Sequence, residues 1–367
     1  MNERLTPLCQ WLRENECDFA FIHSTANVFY LSGFHCTPHE RLLGLLVFPT
    51  DESVLICPRM EVNRAKNSGG TDEIIGYSDT DDPWTLIGET FTKRAIKNAR
   101  TAAIEKQKLP FSYGEALKKQ FPHLTFLDAD EKLGELRMTK DANELRMLRE
   151  AARYADLAVE IGVEAIEEGR TEMEVLATIE YEMKKKGIRE MAFSTMVLAG
   201  ENAAHPHGTP GKREIRKGDF VLFDLGVVLD GYCSDITRTV AYGHVNDKQR
   251  EVYETVLQAQ ETALALSRPG LRIGDLDAAA RKVIDDAGYG EYFPHRLGHG
   301  LGIEAHEAPS MGGNNDETLK PGMVYTVEPG IYIVDDAIGV RIEDDVYLSE
   351  NGPECLTRFP KTLQVIK

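Results

Sequence analysis

The feature that most restricts what this chain can fold into is an acid placed where an apolar strand ends. Asp224 closes the run Phe220-Val221-Leu222-Phe223, and Asp235 returns after a turn written Leu229-Asp230-Gly231-Tyr232. An ionised carboxylate at the end of a buried strand is costly unless a cation or a set of donors compensates it, so the fold must bring something positive there. Asp-Gly between apolar runs signals the two-residue loop of a type I′ hairpin. With that loop, Leu229 faces Tyr232, Asp224 faces Thr237 and Gly226 faces Asp235. Asp224 and Asp235 then become diagonal neighbours on one face, about 7 to 8 Å apart at the backbone, from which two carboxylates can converge on metals about 3.5 to 4 Å apart. Gly226, lacking a side chain, is expected to leave room for that convergence. A one-residue slip would send the two aspartates to opposite faces.

A second segment echoes the first. Arg216-Lys217-Gly218-Asp219 leads into the strand ending at Asp224-Leu225-Gly226, and Leu319-Lys320-Pro321-Gly322 leads into Met323-Val324-Tyr325-Thr326-Val327-Glu328-Pro329-Gly330. Each is followed by a returning strand with another acid, Asp235 in one and Glu343, in Arg341-Ile342-Glu343-Asp344, in the other. Two similar hairpins, each giving half a site, predict an internally duplicated domain with metals on its pseudo-twofold axis. With His299 from Gly298-His299-Gly300, the two Asp and two Glu form a ligand set suited to a pair of hard-to-borderline divalent ions.

Asp224, Asp235, His299, Glu328 and Glu343, with Asp235-Ile236-Thr237-Arg238-Thr239 and the phrase Gly298-His299-Gly300-Leu301-Gly302-Ile303-Glu304-Ala305-His306-Glu307, resemble the pita-bread metallopeptidases. Within that group the chain is most similar to Xaa-Pro dipeptidase (prolidase) and aminopeptidase P. The resemblance runs from Asn27-Val28-Phe29-Tyr30-Leu31-Ser32-Gly33 to the C-terminal strand, and all five ligand positions match in type and order. It implies an α+β fold: a duplicated pita-bread, creatinase/aminopeptidase-like domain over 131–367, preceded by a smaller α/β creatinase N-terminal-like domain over 1–130. It further implies two divalent metal ions, manganese first, with cobalt, zinc or iron as alternatives. Asp235 and Glu343 would bridge them, Asp224 would hold one, and His299 with Glu328 the other. Glu328 would also carry the proton from the nucleophilic water to the leaving nitrogen.

The implied activity is hydrolysis of Xaa-Pro peptide bonds by a hydroxide shared between the metals. The substrate is a small peptide with Pro at the second position. Prolidase is preferred, and aminopeptidase P acting on longer peptides is the alternative. A creatinase-like relative that has lost its metals, or a non-catalytic peptide-binding scaffold, is disfavoured by the intact ligand set. Methionine aminopeptidases share the ligands, but the roughly 130-residue N-terminal part argues against them. The family is expected to act as a homodimer, with the N-terminal domain shaping the site.

Several residues outside the ligand set bear on this reading. By the resemblance, His207, in Ala204-His205-Pro206-His207-Gly208, and His306 stand beside the substrate and could donate to its carbonyl oxygen as charge develops. Arg341 shares a strand face with Glu343 and could hold a carboxylate, either a neighbouring acid or a dipeptide's C-terminus. His295 matches a histidine near the metal pocket. The spacing of His295 and His299 imitates a zinc-protease helix, but the intervening Glu is missing, and Pro294 and Gly298 disfavour a regular helix. His205 is expected to be structural or solvent-exposed. His35 and His39 lie in a loop that prolidases use near the partner's site. Cys233 is read as packing beside Asp235, since no base stands ready to activate it.

A formal net charge of -18 excludes nucleic acid, because no positive field attracts phosphate. The cysteines, at 9, 17, 36, 57, 233 and 355, show no CxxC spacing and predict reduced thiols in a cytoplasmic protein. No signal peptide or membrane span is expected. In the first part, amphipathic patterns near 2–15 and 84–97 alternate with strand-like runs at 19–22, 42–48, 54–57, 101–104 and 124–127. A charged stretch over 128–140 precedes long helical patterns that begin after Asp141, a candidate cap.

Overall fold

The computed structural model describes residues 3–367. They form a compact unit ending at Arg137 and a second unit, Met138–Lys367.

The first unit is a mixed six-stranded sheet in the order Glu73–Tyr77, Ser53–Pro58, Gly44–Val47, Phe19–Ile22, Thr101–Ile104, Thr125–Asp128. Phe19–Ile22 pairs antiparallel with Gly44–Val47 and parallel with Thr101–Ile104, so hairpin and crossover connections coexist. The inner strands are buried on both faces, which explains why they read as continuous apolar runs. Helix Thr6–Glu14 falls inside the first amphipathic pattern, whose start, Asn2, lies outside the described residues, and helix Pro83–Lys93 overlaps the second but begins one residue before it. The edge strand Glu73–Tyr77 was not expected, because it is only half-buried and carries Glu73 and Gly76. The charged stretch contains a helix, Asp130–Met138, whose first turn places Asp130 and Glu131 at the positive end of the helix dipole.

The second unit is built twice. In each half a side-chain capping box opens a long helix: Asp141 with Glu144 before Ala142–Glu164, and Asn246 with Gln249 before Asp247–Leu266. A second helix follows, Glu172–Lys185 or Ile273–Asp286, preceded by a left-handed glycine, Gly169 or Gly270. The amide of that glycine donates to Ile215 O in one half and to Leu319 O in the other. Gly218 and Gly322, at φ +94° and +92°, then turn the chain into the two acid-bearing strands. The helices cover one face of the sheets, with Phe223, Val240, Ile179 and Val159 in one core and Tyr325, Val346, Val256 and Leu276 in the other. Among the described residues no helix is long and apolar enough to cross a membrane.

Register follows the turn chemistry. Asp230 and Gly231 have φ +50° and +86°, as a type I′ loop requires, and Leu229 pairs with Tyr232 and Asp224 with Thr237. The second hairpin keeps one register through Val327 with Asp344 and Gly330 with Arg341, which sets Glu328 directly across from Glu343. The echo between hairpins is therefore imperfect: one pair of acids is diagonal, the other directly opposed. Gly226 serves a different purpose from the one expected. A Cβ there would lie 1.8 Å from the Ser234 carbonyl oxygen, so it permits close backbone approach rather than carboxylate convergence.

Candidate metal centre

The two hairpins meet at a backbone bridge, where the Glu343 amide donates to Thr237 O at 3.1 Å. That seam sets the geometry of the site. Asp235, His299 and Glu343 bring donor atoms within 4.8 Å of one another, a spacing that three ligands can close on one small divalent cation. Glu328 joins them through its Oε1, 3.3 Å from His299 Nε2, while Asp235 Oδ2 lies 3.8 Å from the same nitrogen. His299 Nδ1 sits 3.1 Å from the Gly300 carbonyl, which uses the Nδ1 proton and leaves Nε2 to face the carboxylates.

Asp224 is oriented differently. Its Oδ2 accepts from Arg341 Nη2, and its Oδ1 is buried with no hydrogen-bond partner. All eight residues anticipated for metal or substrate line one cavity of about 360 Å³: Asp224, Asp235, His299, Glu328, Glu343, His207, His306 and Arg341. His295 lines it as well, but Cys233, which donates to Ile303 O, is not among the lining residues. His205 is exposed. His35 and His39 lie in the first unit, where His35 packs edge-on against Phe29.

Arg341 is buried and fully engaged. Nη2 holds Asp224, Nε donates to Thr237 Oγ1 at 3.0 Å, and Nη1 donates to the Tyr332 hydroxyl at 2.8 Å. Of the two roles considered for it, the neighbouring acid has taken the guanidinium. Because Tyr332 O accepts from Arg341, its own proton goes to His295 Nε2, 3.0 Å away, and the His295 proton on Nδ1 goes to Arg296 O at 2.9 Å. Thr237 Oγ1 donates to Glu343 Oε2 at 2.6 Å, and the Asp235 amide donates to Asp345 Oδ2 at 2.9 Å. None of Thr237, Tyr332, Arg296 and Asp345 was anticipated as a site residue, since each is brought in by register or by a loop. For Thr237 a signal existed: it faces Asp224 in the hairpin and shares its strand face with Asp235.

The electrostatics call for a cation. Burial, then Glu343 and Asp224, push the Asp235 carboxyl well above the usual range, and burial with Glu328 and Asp224 does the same to Glu343. Burial also raises Asp224, although Arg341 opposes the shift. Burial pushes Glu328 up too, but His299, His295 and Arg341 outweigh it and hold that carboxyl low. His306 is pulled down by burial and by the neighbouring His299 imidazole, which favours the neutral ring. Crowded buried acids and the unpartnered Oδ1 atoms of Asp224 and Asp235 are what a divalent ion would satisfy. The donor set fits a bound metal.

Carboxyls with raised folded-state pKa values stabilise the metal-free fold fully below their unfolded values near 4, and that contribution is lost as pH rises through the folded values. The melting temperature of chelated protein is therefore expected to fall between pH 5 and pH 8, so that the gap to manganese-loaded protein widens by several degrees. Thermal scans with chelator and with Mn²⁺ at both pH values check this, and a gap that narrows at pH 8 would count against the cluster as the metal site.

The model of metallopeptidase family M24 matches residues 146–350, and that of the creatinase/prolidase N-terminal domain matches residues 4–139. A putative dipeptidase, YkvY, of Bacillus subtilis (strain 168) is 54% identical over 363 residues, covering 99% of each chain. An uncharacterized peptidase of Staphylococcus saprophyticus is 44% identical over 358 residues, 98% of this chain and 100% of its own. Among solved structures, the prolidase from Pyrococcus horikoshii OT3 superposes with a TM-score of 0.90 at 36% identity, covering 99% of this chain and 100% of that one. An Xaa-Pro dipeptidase from Bacillus anthracis gives 0.91 at 33% identity and 99% of both chains. An X-Pro aminopeptidase from Thermotoga maritima MSB8 gives 0.87 at 33% identity, with 97% of this chain and 100% of that one covered.

Proposed function

Because the chain belongs to metallopeptidase family M24, we propose that it is an Xaa-Pro dipeptidase that takes a peptide with Pro at the second position. The observation that carries the reading is the buried Asp235, His299 and Glu343 cluster opening into a cavity lined by His207 and His306. In this reading Asp235 and Glu343 would be shared between two metals, Asp224 would hold one, and His299 with Glu328 would hold the other. Two Asp, two Glu and one His are mostly hard donors, which favours manganese, with cobalt, zinc and iron as substitutes. Bound there, divalent ions polarise the scissile carbonyl and bring the pKa of a water towards neutrality.

The remaining steps belong to the chain. Glu328, held ionised beside His299, takes a proton from the attacking water and delivers it to the proline nitrogen as the amide bond breaks. His306, neutral, and His207 at the cavity mouth donate to the carbonyl oxygen as it gains charge. Arg341 keeps Asp224 in place rather than reading the substrate. A dipeptide's carboxylate falls instead to Arg296 at the rim, which spends one Nη1 bond on Ser310 Oγ and is otherwise exposed. The cavity, about 360 Å³, is near the small end of the 300–1,000 Å³ usual for ligand sites, which favours a dipeptide over a longer chain. Among the described residues no two cysteines form a disulfide, as a reducing cytoplasm would leave them, and we place the protein there, as a homodimer.

Assays of metal-reconstituted enzyme on Ala-Pro, Ala-Pro-Ala and a Met-initiated tripeptide without Pro separate the readings. Turnover of Ala-Pro with little of the other two is expected. Preference for Ala-Pro-Ala would move the assignment to aminopeptidase P, and no turnover by metal-loaded protein would remove the enzymatic reading.

A further inference from the structure

Among the described residues the His207 side chain makes no hydrogen bond, so its place at the cavity is set by the backbone that carries it. That backbone is held from beneath by a residue far from the metals. Glu172 opens the helix Glu172–Lys185 and its side chain is fully buried. Its Oε1 accepts from the Ala199 amide at 2.7 Å and from Asn202 Nδ2 at 3.0 Å. Its Oε2 accepts from Asn202 Nδ2 at 3.1 Å and from the Gly211 amide at 2.9 Å. Every one of these donors lies in the segment 199–211, on either side of His207.

The opposite side of the segment is closed as well. A Cβ on Gly339 would come within 1.8 Å of Ala203 O, so the loop lies in backbone contact with the strand Ile338–Arg341. Between these two constraints, a turn with His205 N on Asn202 O and Gly208 N on His205 O presents His207. The other half of the duplication repeats the device. Buried Asp277, on the helix Ile273–Asp286, accepts from the Leu297 amide at 2.9 Å, two residues before His299. In both halves an acid on the second helix ties down the segment that carries a histidine of the site.

We propose that Glu172 is a positioning residue for the peptidase reaction: its buried carboxylate clamps both flanks of the 199–211 loop and thereby fixes His207 against the substrate carbonyl. This rests on the role given to His207 above. A buried carboxylate that accepts only from one loop stabilises that loop's conformation, and displacements of about 1 Å in a group acting at the transition state can cost about 100-fold in rate. Glu172→Gln preserves volume but turns an amide donor towards either the Ala199 or the Gly211 amide, which opens one flank.

The test is a double-mutant cycle on the metal-loaded full chain with Glu172→Gln, His207→Ala and the pair, reading kcat, KM and bound metal. Expected are a fall of about 10- to 100-fold in kcat for Glu172→Gln with KM changed by less than about threefold, unchanged metal content, and a double variant no slower than His207→Ala alone. Wild-type kcat in Glu172→Gln beside a slow His207→Ala would overturn the clamp, as would two effects that multiply, the mark of general destabilisation. A neutral His207→Ala would overturn the role of His207 and the clamp with it. Should Glu172→Gln fail to fold, Asn202→Ala, which removes the side-chain donor shared by both carboxylate oxygens, enters the same cycle with the same criteria.

Discussion

Glu328→Gln, assayed at metal concentrations that restore loading, is expected to lower kcat by about 10²- to 10⁴-fold while leaving the fold in place. The substitution keeps size and the capacity to accept from Thr326 Oγ1, 3.1 Å away in the native site. What it removes is the ability to take a proton and give it back. Glu328 suits that task because it is the one carboxyl of the cluster held low, beside His299, while Asp235 and Glu343 are pushed high by burial and by their neighbours. Steady-state rates on Ala-Pro with matched metal analysis check the prediction. A variant within tenfold of wild type at equal metal content would remove Glu328 from proton transfer.

Asp235→Asn is expected to abolish metal loading at the Asp235, His299 and Glu343 cluster, with affinity down by more than about 100-fold, since even outer partners of metal ligands cost about 10- to 100-fold. It carries an opposite signature in the metal-free protein. Asp235 is crowded by Glu343, Asp224, Asp345 and Glu328, and its Oδ1 has no partner. Neutralising it relieves like-charge repulsion, so chelated Asp235→Asn should melt at or above chelated wild type near pH 8 while its shift on adding Mn²⁺ disappears. Metal titration and thermal scans read both effects. Normal loading, or a chelated variant markedly less stable than chelated wild type, would contradict the bridging role.

The acids were legible because their signals are local. Asp230-Gly231 sets the turn, the turn sets the register, and the register puts Asp224 across from Thr237. The duplication was legible for the same reason, as Gly218 and Gly322 introduce the two acid strands with nearly equal positive φ. What was not legible depends on closure at a distance. Tyr332 reaches Arg341 and His295 only once the second hairpin is folded, and Glu172 meets its loop across a connection with no motif. Arg341 could be placed beside the acids from strand parity, but its choice of Asp224 over a substrate carboxylate rests on side-chain reach. Gly226 was identified as necessary for a reason that proved different, because a pattern does not reveal which backbone atom passes nearby. The edge strand Glu73–Tyr77 was missed because half-burial removes the apolar run that marks its inner neighbours.

The seam at Thr237 and Glu343 has a consequence for how the molecule comes apart. Asp235 comes from the first half of the duplication and His299 and Glu343 from the second, so a metal held by all three fastens segments about 100 residues apart, much as a disulfide would. In the chain-entropy picture a cross-link over a loop of about 100 residues withholds roughly 4.7 kcal/mol of freedom from the unfolded chain. The halves of a loaded molecule should then separate last, and resistance to proteolysis should rise with metal occupancy in step with activity. Enzyme that loses its metal would become, by the same fastening, the fraction marked for degradation.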